Sequence, residues 1–216
     1  MSAEQVITSL KPQLTGERIA RIESVLHHRT FALQACLETI YDRGNASAVF
    51  RSSEAFGFQG VHLIETGEKF KNANRVSKGA EKWLYVKKWT STTDCLEHMK
   101  SLGYFVACTS LSATSVPLQD LDFTRPTLLI FGNEKDGISP EALAMSDAQV
   151  QLPMHGFVQS FNISVAAALS FQLAHEQRTR RLGQNGDLTE AQKQIIRAIY
   201  FLQTRDSLDW SIRDIH

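Results

Sequence analysis

The sequence predicts an α/β protein: a mostly parallel sheet with helices on both faces and short helical arms at the two ends. Three observations carry this. Short runs rich in β-branched and aromatic residues alternate with amphipathic stretches of helical period. One run, Thr127–Phe131 (TLLIF), is apolar without alternation, as a strand covered on both faces must be. Finally, 216 residues with 43% hydrophobic and 21% charged content suit one domain with a sizeable core, and exclude a collagen, a disordered chain or a small disulfide scaffold.

The elements follow in order. Ile19, Ile22, Val25 and Leu26 recur at helical spacing, with Arg18 and Arg21 on the other side, and predict a helix over residues 17–28. A strand follows at Phe31–Leu37. Gly44-Asn45 punctuates, and Ala46, Val49, Phe50 and Phe56 mark a helix that stops at Gly57. Val61–Ile64 and Trp83–Val86 read as short strands, Thr92–Leu102 as a helix ended by Gly103, and Tyr104–Cys108 as a strand. Ser139-Pro140 starts a short helix, because Ser caps well and Pro suits the first helical position. After a last short strand at Val150–Leu152, a long helix runs from about Ile163 to Arg181 and closes at Gly183. A final amphipathic helix begins near Leu188-Thr189 and carries Ile195, Ile196, Ile199 and Leu202. The expected organisation is an N-terminal arm over 1–29, a catalytic domain over 30–182 and a C-terminal helical extension over 183–216.

Charge and cysteine content narrow the function. The 23 basic and 23 acidic residues cancel, which rules out a uniformly basic nucleic-acid coat but not a local basic face. Three cysteines with no CxxC, and seven histidines with no HExxH, argue for a reducing compartment and against a protein-bound metal. The opening MSAEQVITSLKP is not a signal peptide, and Phe157–Leu173 is too short and polar to span a membrane, so a cytoplasmic protein is expected.

Ligands of open α/β sheets bind outside the carboxyl ends of the strands. Four turns there stand out: Arg43-Gly44-Asn45, Thr109-Ser110, Gly132–Gly137 (GNEKDG) and Pro153–Asn162. None is a GxGxxG, a P-loop or a GxSxG elbow. Read singly, each residue has a bland role. Asn45 is a helix cap, Arg51 a surface arginine or a cation tucked beside Phe50, Phe56 and Phe58, and Glu134 an ion-pair partner of Lys135 or Lys82. Ser160 and Asn162 are turn or capping residues of the long helix. The stretch Lys69–Lys88 interleaves seven basic residues with Phe70, Trp83 and Tyr85, a pattern for phosphate contact and base stacking or for a solvated charged loop. More basic groups sit on the arms: Lys11, Arg18, Arg21, Arg29, Arg178, Arg180 and Arg181.

Three strings in order, NASAVFRSSEAFG (45–57), LLIFGNEKDGISPEAL (128–143) and LPMHGFVQSFNISVAAAL (152–169), resemble the three motifs of the SpoU/TrmH family of SPOUT methyltransferases. The likeness continues through AEKWLYV (80–86) and DLDFTRPT (120–127) and spans roughly residues 17–182. Within the family it is nearest the tRNA (guanosine-18) 2′-O-methyltransferases, which have short basic arms. The resemblance implies a sheet whose C-terminal part threads a deep trefoil knot, a homodimer formed through the knot region, and S-adenosylmethionine bent into a pocket of the knot loops. It places Thr109, Gly132, Leu152, Ser160 and Phe161 at that pocket and Asn45, Arg51, Glu134, Ser160 and Asn162 in catalysis and site architecture. Arg18, Arg21, Lys78, Lys82 and Arg178 are the expected contacts to tRNA, with no DNA or membrane partner.

The implied reaction suits these residue types. A sulfonium methyl carbon needs no metal, only an in-line ribose 2′-oxygen relieved of its proton. A guanidinium with a pKa above about 12 is a poor base, so Arg51 is expected to orient the 2′-oxygen and the adjacent phosphate and to stabilise developing charge. The phosphate or a transiently deprotonated Arg51 takes the proton. Two features depart from the family pattern: Asp42-Arg43-Gly44 replaces a Lys-Pro-His-type lead into Asn45, and Arg75–Gly79 replaces a Ser/Gly-rich run. The alternatives are the same reaction on ribosomal RNA or another tRNA position, and an RNA-binding protein without catalysis.

Overall fold

The computed structural model describes residues 1–65 and 79–213, with residues 205–213 as helix backbone alone. Contacts divide the chain into two compact units, residues 1–30 with 185–216 and residues 31–184.

The first unit is helical. α1 (Ala3–Leu10) begins with a capping box in which Ser2 and Gln5 satisfy each other's backbone N–H groups. This helix is additional to those expected from the sequence, and Ser2 and Gln5 carry its start signal. α2 (Gly16–His27) is capped by Thr15, and α7 spans Glu190–Arg213. The stripe expected on α7 is corrected. Ile195, Ile199 and Leu202 are exposed, while Ile196 and Tyr200 are buried together with Phe201 and Thr204. Glu23 and Arg197 join α2 to α7 through two hydrogen bonds of 2.5 and 2.8 Å. Arg29, expected on a basic face, is buried, with its guanidinium 5.9 Å from the Tyr200 ring centre.

The second unit holds a seven-stranded sheet. Its strands are β1 (Thr30–Glu38), β2 (Phe58–Ile64), β3 (Tyr85–Trp89), β4 (Phe105–Thr109), β5 (Val116–Pro117), β6 (Thr127–Phe131) and β7 (Ala148–Gln151). The order across the sheet is β3-β2-β1-β6-β4-β7-β5. Pairings β2–β3, β1–β6, β4–β6, β4–β7 and β5–β7 are all parallel. The third strand is displaced from the expected Trp83–Val86, because a single 3-10 turn occupies Glu81–Trp83. β5, only two residues long, carries too little pattern to be seen in sequence.

The helices are α3 (Arg43–Ala55), α4 (Thr92–Ser101), α5 (Pro140–Met145) and α6 (Ile163–Leu182), the last closed by Gly183 in the left-handed conformation. Two apolar layers cover the sheet. Leu129 and Phe131 of β6 join Val49, Phe50, Ala167 and Phe171 of α3 and α6, whereas Leu128 and Ile130 join Cys95, Leu96 and Ala142 of α4 and α5. Each face of β6 is thus packed, which is why TLLIF lacks alternation. Among the described residues no helix is long and apolar enough to cross a membrane.

Candidate active site

β1 leads outward on one side to β2 and β3 and borders β6 on the other, so the strand order reverses there. Beside this point, the turns after the carboxyl ends of β4, β6 and β7 lie on the side of the sheet where ligands of such folds bind. They enclose a cavity of about 650 Å³, within the usual range for small-molecule sites. Thr109, Gly132, Leu152, Ser160 and Phe161, from four separate stretches of sequence, all line it, as do Glu134 and Asn162.

The turn after β6 owes its shape to its residue types. A Cβ at Gly132 would lie 2.2 Å from the carbonyl carbon and oxygen of Gly137, so only glycine fits. Asn133 exchanges two backbone hydrogen bonds of 3.1 Å with Gly137, and its Oδ1 accepts from the N–H groups of Lys135 and Asp136. Gly137 adopts φ 71°, which a side chain would strain. The loop leaves Glu134 exposed at its tip.

There three remote segments meet. Asn45 Nδ2 donates to Glu134 Oε1 at 2.7 Å, and Asn162 Nδ2 donates to Asn45 Oδ1 at 3.1 Å. Asn162 Oδ1 accepts from both the N–H and the hydroxyl of Ser164, at 2.9 and 2.6 Å. Ser164 therefore fixes which way the Asn162 amide faces, Asn162 fixes Asn45, and every donor in the chain points toward the carboxylate. The backbone N–H of Tyr41 reaches Glu134 Oε2 at 3.4 Å.

Several bland readings change against this geometry. Asn45 is not the cap of α3. Asp42 is, its carboxylate accepting from Gly44 N–H at 2.7 Å, and Asn45 sits buried in the first turn. The acidic residue that departs from the family pattern thus performs the capping. Glu134 pairs with Asn45 rather than with Lys135 or Lys82. Asn162 caps α6 and joins the network at once. Arg51 is exposed on α3, not tucked among the phenylalanines, and is not among the cavity residues. Thr109 turns its hydroxyl to the Ile130 carbonyl, at 3.1 Å.

The expected RNA contacts divide. Arg21 is exposed and Arg18 half-buried, its guanidinium 3.4 Å from Thr204 Oγ1. Lys82 lies over the Trp83 ring at 4.7 Å. Lys78, with Lys69, Phe70, Lys71 and Arg75, falls outside the described residues. Arg178 is corrected: it is 1% exposed and donates to the Phe123 carbonyl at 2.9 Å, so it cannot meet RNA. Residues the sequence reading missed include Tyr41, Ser164 and Glu38. Only Ser164 had a local signal, as a hydroxyl beside a capping Asn.

Fold and cavity define a class, an α/β enzyme whose ligand cleft lies at the carboxyl ends of neighbouring parallel strands. The profile of the SpoU rRNA Methylase family matches residues 32–172, and the chain belongs to that family of RNA methyltransferases. An Escherichia coli (strain K12) protein named tRNA (guanosine(18)-2′-O)-methyltransferase is 37% identical over 180 residues, 82% of this chain and 79% of its own. The crystal structure of the A. aeolicus TrmH/SpoU tRNA modifying enzyme superposes with a TM-score of 0.78 at 28% identity, covering 87% of this chain and 96% of that one. An AdoMet-bound rRNA methyltransferase from Sinorhizobium meliloti has a TM-score of 0.60 at 26% identity, over 67% of this chain and 56% of that one.

Proposed function

We propose that the protein methylates the ribose 2′-oxygen of guanosine-18 in the D-loop of tRNA, with S-adenosylmethionine as donor. The observation that carries this is the Glu134–Asn45–Asn162 chain at the cavity, because it joins one residue from each family motif. The names of the similar proteins support the substrate.

The cavity residues fit the donor. Leu152 and Phe161 offer apolar surface, Gly132 lets a ligand approach the backbone closely, and Ser160 adds a hydroxyl. When bound there, S-adenosylmethionine supplies an electrophilic sulfonium methyl carbon. The chain's own residues then position the nucleophile. The Asn45–Glu134 pair fixes the first turn of α3, and Arg51 follows six residues later, about 9 Å along the helix axis. Its guanidinium orients the 2′-oxygen and the neighbouring phosphate and offsets the charge that develops on oxygen. The protein works as a homodimer formed through the knot region, in the cytoplasm. Exposed Phe157, Val158, Phe161, Val165 and Leu169 cluster on the segment that leads into and along α6, and they supply an apolar face for the partner.

The test is transfer of labelled methyl from S-adenosylmethionine to unmodified tRNA transcripts, with the product nucleoside mapped by mass spectrometry. A 2′-O-methylguanosine in the D-loop is expected. Cofactor binding with no transfer to any tRNA would move the substrate to ribosomal RNA. In the same assay Arg51→Lys should lose most activity, since a point charge cannot replace the planar fork, and near-wild-type turnover would remove Arg51 from this role.

A further inference from the structure

We propose that Glu38 is a positioning residue, a buried clasp that sets the place of the cavity wall formed by residues 132–138 and thereby of Glu134. The inference deepens the functional reading above and rests on it, since that wall is one side of the cofactor cleft.

Glu38 is the last residue of β1 and is 3% exposed. Its Oε1 accepts from the hydroxyls of Thr92 and Ser139, at 2.8 and 2.7 Å, and its Oε2 accepts from the Ser139 backbone N–H at 2.9 Å. Two of these three donors belong to the residue that directly follows the wall. Ser139 in turn caps α5, accepting from Ala142 N–H at 3.0 Å. The other end of the wall leaves β6 at Phe131, which stands in register with Leu37 of β1. Two consecutive residues of β1 therefore hold both ends of one loop, Leu37 through the ladder and Glu38 through its side chain. The Asn133–Gly137 bridge closes the loop between them, and Glu134 at its tip meets Asn45. A carboxylate buried in a strand end must have donors, and here those donors come from Ser139, directly after the wall, and from the start of α4. Moving Ser139 would leave the carboxylate short of partners, so the wall is tied to one place.

The geometry makes a distinctive prediction for three variants. Glu38→Gln keeps the shape: its carbonyl meets Ser139 N–H, and its amide donates to the two hydroxyls, which turn to accept. Glu38→Ala removes all three bonds, and Glu38→Asp is one methylene too short to make them. The measurements are S-adenosylmethionine affinity by calorimetry and backbone hydrogen exchange over residues 132–139, each on the full chain. Expected for Glu38→Ala and Glu38→Asp is cofactor binding weakened by about tenfold or more with faster exchange confined to the wall, and for Glu38→Gln restoration to within about threefold. Unchanged affinity and protection in Glu38→Ala would overturn the proposal. So would loss of protection spread across the whole sheet, or a Glu38→Gln variant as impaired as Glu38→Ala, since either would mark a general core role. If the wild-type chain fails to bind S-adenosylmethionine while Glu38→Ala still loosens the wall, the clasp stands and the cofactor reading is what fails.

Discussion

Asn45 spends both ends of its amide on other site residues, accepting from Asn162 and donating to Glu134. Alanine at this position would remove both bonds, a loss of about 1.5–3 kcal/mol for a bond to a charged group, or roughly 10- to 100-fold in kcat/KM. Steady-state methyl transfer by Asn45→Ala checks this. A second residue-scale expectation concerns pH. His62 is 2% exposed, its Nδ1 accepting from Trp89 Nε1–H at 2.9 Å and its Nε2 meeting Gln34 Oε1 at 2.8 Å. Indole nitrogen only donates, so Nδ1 carries no proton and the ring is neutral. Burial above all, then the positive charges of Lys87 and His98, lowers its pKa from 6.5 to about 4. Below pH 6.5 the unfolded chain takes up a proton that the folded chain refuses. Stability should therefore be complete above pH 6.5 and fall as pH drops toward 4, by about 1.4 kcal/mol per unit and some 3 kcal/mol in all. Urea melts of the wild type and His62→Gln across this range should diverge as pH falls.

At the scale of elements, the turn between β6 and α5 is the part of the site whose shape is set by sequence most directly. Gly132→Ala would drive a methyl group into the Gly137 carbonyl, where backbone cannot yield as a flexible side chain does. Relieving that clash must shift the loop backbone at a cost, so the variant is expected to lower the thermal midpoint as well as the cofactor affinity. Calorimetry together with a thermal melt separates the two effects. Helix assignments show where local signals stop. Asp42 and Asn45 are both capping residue types three positions apart, and propensity alone does not choose between them. The choice falls to Asp42 because Asn45 is held by Glu134, 89 positions away. The burial of Arg178 is legible in the sequence. The residue follows Phe171 and Ala174 at helical spacing, so its place on the buried stripe of α6 is written in the period, and the neighbouring Arg180 and Arg181 obscure it.

For the whole molecule, the apolar surface on and before α6 bears on assembly. Phe157 is fully exposed, and Val165 and Leu169 are 44% and 38% exposed, an arrangement that a partner subunit would cover. If this face is the proposed interface, light scattering should give twice the 24.2 kDa protomer mass, and Val165→Asp, which puts a charge on that face, should shift the population toward the protomer.

The sequence by itself determined the alternation of strands and helices, the doubly covered strand TLLIF, the caps at Ser139 and Gly183, and the three motifs that place the chain in its family. These are carried by residues close together in the chain, through side-chain period, turn chemistry and steric demand. Only the tertiary structure decided that Glu134, Asn45 and Asn162 form one hydrogen-bonded chain, that Glu38 grips Ser139 across 101 positions, and that Arg178 is buried. Those outcomes depend on which strands lie side by side, and a parallel sheet brings neighbours together through long crossovers that leave no local period to read.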